Sequence, residues 1–63
     1  MNKYHLKVLG EETYNVNVFA EGFSYSEAGC YCFYERNDQG RLPIAYYPIA
    51  KTIIESIEYN IEI

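Results

Sequence analysis

The sequence has little with which to do chemistry. It holds one histidine, His5, and two cysteines, Cys30 and Cys32, too few for a disulfide framework. Two cysteines two positions apart on a strand share a face, and closing so short a ring strains both the strand and the S–S geometry. As metal ligands they are incomplete, because a structural zinc site takes four ligands and His5 lies far upstream. The expectation is two reduced thiols packed as small core hydrophobes, their commonest role. No glycine-rich phosphate loop, HExxH, GxSxG or CxxC occurs. Ser24 and Ser26 alternate with aromatics and have no histidine or acid at motif spacing. These absences predict a protein that is not an enzyme and takes no cofactor and no metal.

Basic charge is also scarce. Five Lys and Arg against nine Asp and Glu leave a net charge of −4. Lys3, Lys7, Arg36, Arg41 and Lys51 form no block, which disfavours nucleic acid as a direct ligand. Long apolar runs are missing, and the start of the chain alternates polar and apolar residues, so no signal peptide or membrane anchor is expected. Reduced thiols without a leader predict a cytoplasmic protein. The 63 residues make one domain, 1–63. A chain of this length buries only about 60% of its unfolded surface. With disulfides and metals set aside, self-association as a homodimer is the expected aid to stability.

What the chain has in quantity is aromatic rings, eight tyrosines and three phenylalanines. So small a core cannot enclose them all, and tyrosine at a surface is a common interface residue. Residues 4–9 alternate as a half-buried strand, with His5 on its polar face, and residues 13–20 alternate as its antiparallel partner. After a break at Glu21-Gly22, residues 23–26 read as the second strand resuming past a bulge or bend. Cys30, Cys32 and Tyr34 then share one face of a third strand, and Tyr31, Phe33 and Glu35 the other. Residues 36–41 form the strongest hairpin signal, with Asn37-Asp38-Gln39-Gly40 tolerant of φ > 0 and Arg36 and Arg41 beside it. Residues 42–47 are a fourth strand, bounded by Pro43 and Pro48 and therefore at an edge.

The last segment carries two patterns. Ile49, Ile53, Ile57 and Ile61 recur at helical spacing, whereas Ile57, Tyr59, Ile61 and Ile63 alternate as a strand does. The β-prone composition favours a turn around residues 50–52 and a strand over 53–61, a candidate dimer seam. The predicted fold is all-β, or β-rich α+β: a small antiparallel sheet or partly closed barrel of four to five strands, with a short helical turn near residues 48–54. Tyr31, Tyr34, Tyr46, Tyr47 and Tyr59 are the candidate partner-binding residues.

The first hairpin, Ala20-Glu21-Gly22-Phe23, Gly29-Cys30-Tyr31-Cys32-Phe33-Tyr34, Ile44-Ala45-Tyr46-Tyr47-Pro48 and Ser56-Ile57-Glu58 together resemble a pattern in small uncharacterised phage and bacterial proteins. Those have a strand–turn–strand start, a glycine before an aromatic strand, and a closing strand after a proline. In size, acidity and single-domain build the chain is also similar to phage-encoded inhibitors of bacterial defence systems, including anti-CRISPR proteins. The resemblance implies a protein that occupies a surface of a host protein or complex in the host cytoplasm, and it transfers no residue roles. The expected function is that of a non-enzymatic protein-binding module. The alternatives are an acidic mimic of nucleic acid and a structural or assembly subunit.

Overall fold

Period-two alternation sets the first two strands and their common inner face. In β1 (Asn2–Val8), Tyr4, Leu6 and Val8 are buried while Lys3, His5 and Lys7 take the other face. β2 (Tyr14–Ala20) pairs antiparallel with Leu6 opposite Val16, Tyr4 opposite Val18 and Asn2 opposite Ala20. Directly opposed residues share a face, so Val18 and Ala20 are buried with Tyr4 and Leu6. The computed structural model describes residues 1–62.

The chain then leaves this sheet. At Glu21 it turns into β3 (Gly22–Tyr25), which pairs with β4 (Cys30–Asn37), which pairs with β5 (Gly40–Pro48). A 3-10 turn (Ile49–Lys51) carries it back to β6 (Thr52–Glu58), which flanks β1 on the side away from β2. The result is all-β, with two three-stranded antiparallel sheets ordered β2-β1-β6 and β3-β4-β5 and not closed into a barrel. Both crossings are corners at which the chain changes sheet by bending. At the first, the Glu21 N–H donates to the Tyr34 carbonyl at 2.9 Å, and Asn2 Nδ2 donates to the Glu21 carbonyl at 3.2 Å. At the second, the Leu9 N–H donates to the Lys51 carbonyl at 2.7 Å, and the Ile49 N–H to the Gly29 carbonyl at 3.0 Å.

The expected hairpin is tighter than its charges suggest. Strand pairing runs as far as Asn37 opposite Gly40, leaving a two-residue turn. Gly40 takes φ 119°, and the Gln39 N–H donates to Asn37 Oδ1 at 2.9 Å. β5 lies at the end of its sheet order, the edge position that Pro43 and Pro48 require. The helical turn expected near residues 48–54 is the 3-10 turn.

The core joins Tyr4, Leu6, Val18 and Ala20 of the first sheet to Phe33 of the second. Tyr4 is the wedge between them, its ring centroid 5.1 Å from Phe33 and 5.6 Å from Phe23, both edge-on. Burial of a phenol needs a hydrogen-bond partner, and the Tyr4 hydroxyl accepts from Asn2 Nδ2 at 3.3 Å.

Four expectations are corrected. Among the described residues there are six strands rather than four or five, because the corner at Glu21 divides the expected second strand between two sheets. The cysteines are not core residues. Cys32 stands opposite Ser24 and Tyr46, and Cys30 opposite Pro48, on the outward face, where both are half-buried and unbridged. Alternation forces one set of β4 residues outward, and burying Tyr31 and Phe33 removes far more apolar area than burying two thiols. The closing strand ends at Glu58 rather than Ile61: Asn60 takes φ 54°, and the Ile61 N–H donates to the Met1 carbonyl at 2.8 Å. Ile63, the last member of the alternating set, lies outside the described residues. Finally, Tyr34 is buried, 8% exposed, rather than a surface ring.

The four-residue spacing of the isoleucines marks no single face of β6. Leu6 faces Ile54 and His5 faces Ser56, so Glu55 is an extra residue without a partner. Ile54 before the bulge and Ile57 after it therefore both pack on the core, whereas Ile53 is exposed.

Candidate interaction surface

The second sheet presents two rows of rings on its inner face. Phe23, Phe33 and Ala45 are mutually opposite across β3, β4 and β5 and form the row that Tyr4 covers. One step along, Tyr25 is opposite Tyr31, and Tyr31 is opposite Tyr47. The three hydroxyphenyl groups make a cross-strand row two residues from the core row.

The row is held by its own sheet. Tyr25 lies 5.6 Å from Tyr31 and 6.0 Å from Phe23, Tyr31 lies 5.8 Å from Phe23, and Tyr47 lies 6.1 Å from Phe33. Among the described residues, no aromatic ring of the first sheet pairs with it. Exposure rises away from the core: Tyr31 and Tyr47 are half-buried and Tyr25 is 70% exposed. The apolar surface is continuous from the closed core onto solvent. Such rings keep few rotamers and carry both a wide apolar face and a polar tip, the properties that enrich tyrosine at contacts between proteins.

Of the five tyrosines proposed from the sequence, the structure brings together Tyr31 and Tyr47. Tyr46 points the opposite way, opposite Cys32 on the outward face, and is 58% exposed. Its phenol is pushed up from the ordinary tyrosine range, chiefly by a hydrogen bond with Cys32 and then by the charge that thiol carries when ionised. Tyr59 is exposed beyond the end of β6. Tyr34 lies on the outward face of β4 over Gly22, with the Arg41 guanidinium 4.4 Å from its ring centroid. Tyr25 belongs to the row and was missed. Its signal was its alternation with Phe23, but only the register of β3 on β4 places it beside Tyr31.

On the outer face of the first sheet, His5 Nε2 and Glu58 Oε2 are 2.7 Å apart, and Lys3 Nζ lies 3.9 Å from the same oxygen. These contacts tie β1 to β6. The hydrogen bond with His5 is the main reason that the Glu58 carboxyl is held below the usual carboxylate range, with smaller help from the Lys3 charge. Ser56 is the cross-strand partner of His5. Among the described residues no hydrogen bond joins that hydroxyl to the ring, the link a nucleophile–base pair needs. No group of three or more His, Cys, Asp or Glu side chains converges among the described residues. No described helix is long and apolar enough to cross a membrane. Comparison with known proteins finds no matching family model, no matching curated protein and no matching solved structure.

Proposed function

We propose that this chain is a non-enzymatic protein-binding module whose contact surface is the row Tyr25, Tyr31 and Tyr47. The observation that carries the reading is the continuity of the row with the core: its rings are braced by Phe23 and Phe33 and pass from half-buried Tyr31 and Tyr47 to exposed Tyr25. A braced ring loses little entropy on binding, so its burial by a partner converts into affinity. The setting we propose is phage-encoded inhibition of a bacterial defence system, by occupation of a surface of a host protein. Its support is the small, acidic, single-domain build. Self-association as a dimer belongs to the same proposal and is supported by the free edge of β6.

The test is affinity co-purification from bacterial lysate with wild type, Tyr25→Ala and Tyr46→Ala, each first confirmed folded. Wild type and Tyr46→Ala should retain a common partner that Tyr25→Ala loses. Retention by Tyr25→Ala with loss by Tyr46→Ala would move the contact to the opposite face and refute the assignment. Light scattering on the same samples reads the dimer directly, and a monomer at all concentrations would remove that part of the proposal.

A further inference from the structure

The tip of the β4–β5 hairpin holds two cations where sheet physics resists them. Arg36 and Arg41 are directly opposite across the two strands, and like charges so placed repel. Neither forms an ion pair among the described residues, where the bridging carboxylate is Glu58, given to Lys3 and His5. Both stand over one ring: the guanidinium carbon of Arg41 is 4.4 Å and that of Arg36 is 5.9 Å from the Tyr34 centroid. Tyr34 is itself fixed against Gly22, so the platform is rigid. With Asn37, Asp38 and Gly40 the arginines line an open concavity of about 450 Å³. Asn37 Oδ1 is taken by the Gln39 N–H, which leaves its amide hydrogens to donate.

We propose that Arg36 and Arg41 form a binding site for a phosphate monoester. Two positive charges over one rigid ring, against the single carboxylate of Asp38 in the lining, match a group carrying about −1.5 to −2 at neutral pH with three acceptor oxygens. Two planar guanidiniums can each engage it bidentately. A carboxylate is satisfied by one of them and leaves the other unpaired. The ligand is a discrete anion rather than a polymer, because the remaining cations, Lys3, Lys7 and Lys51, lie on or beside the other sheet and the chain is acidic overall. The site is on the outward face of the second sheet and is independent of the tyrosine row.

The experiment is an NMR titration of the arginine Nε–Hε signals of the full chain, at ionic strength held constant with chloride. Phenyl phosphate and inorganic phosphate should shift Arg36 and Arg41 saturably, with benzoate weaker by about tenfold or more. Arg36→Glu turns the repelling pair into an attracting one, so it should fold at least as well as wild type and lose binding. Arg36→Lys keeps the charge without the fork and should weaken it. Linear shifts matched by chloride, benzoate binding as tightly as phenyl phosphate, or undiminished binding by Arg36→Glu would each overturn the proposal. A short oligonucleotide that bound far more tightly than phenyl phosphate and shifted Lys3 and Lys7 would replace it with a polyanion track.

Discussion

Replacing Phe33 with alanine removes the second sheet's member of the buried core cluster. The ring is fully buried and has centroids 5.1 Å from Tyr4, 5.7 Å from Phe23, 6.1 Å from Tyr47 and 6.4 Å from Tyr31. Lost transfer free energy and the cavity left behind put such a change at about 3–5 kcal/mol. The upper half of that range is expected, since aromatic pairs contribute about 0.5–1.5 kcal/mol each beyond their buried area. At roughly 0.05–0.15 kcal/mol per residue, a domain this small holds about 3–9 kcal/mol in all. The substitution therefore removes between nearly half of the stability and the whole of it. Urea denaturation followed by far-UV circular dichroism, with proton NMR dispersion as the check on tertiary packing, reads the outcome. Phe33→Ala should lack a cooperative transition or show one at a urea midpoint lowered by about half or more. Phe33→Leu, which keeps most of the volume, should fold and lose roughly 1–2 kcal/mol. A Phe33→Ala protein melting cooperatively within about 1 kcal/mol of wild type would show that β4 presents its other face to the core.

Gly22→Ala tests the bed beneath Tyr34. A Cβ there would meet the Tyr34 hydroxyl oxygen at 2.6 Å and Cζ at 2.9 Å, so the ring must lift away from Gly22. A loss of about 1–3 kcal/mol is expected, and Tyr34→Leu in the same chain should recover part of it in a double-mutant cycle read by thermal melting; strict additivity would contradict the contact. Glu58→Gln tests the bridge between β1 and β6. A carboxyl with a lowered folded-state pKa stabilises the fold above its unfolded pKa, and that contribution is lost as pH falls through the folded value. Wild type should therefore lose melting temperature across the acid range, roughly pH 5 down to pH 2, and Glu58→Gln should show a flatter acid limb. Parallel curves would mean that the pair contributes nothing to folding.

Much of the secondary structure was legible because alternation is local. Tyr4, Leu6 and Val8 against Lys3, His5 and Lys7 require one buried face whatever pairs with it. Asn37-Asp38-Gln39-Gly40 has the turn chemistry that closes a hairpin, and two prolines confine β5 to an edge. Which face of β4 meets the core was not legible, because Cys30, Cys32 and Tyr34 alternate with Tyr31, Phe33 and Glu35 and neither face is cleanly polar; the structure turns Phe33 inward and the thiols outward. The isoleucines were ambiguous for a physical reason: a spacing of four lies near one face of a helix and, being even, on one face of a regular strand too, and the bulge at Glu55 then puts Ile53 and Ile57 on opposite faces.

The tyrosines were countable but not assignable. Tyr34 shares a face with the cysteines, as its position in the strand requires, yet it is buried because a glycine lies across the ladder and Arg41 stacks over the ring. Tyr25, by contrast, is exposed at the end of a row that exists only once β3 and β5 are registered against β4. By itself the sequence determined most of the extended segments, the alternation within β1 and β2, and that more rings are present than a core of this size can hold. The tertiary structure decided which of those rings are covered. Exposure depends on what the opposing sheet lays over each row, and that is set by two corners joining residues far apart in the chain, to which a period of two is blind.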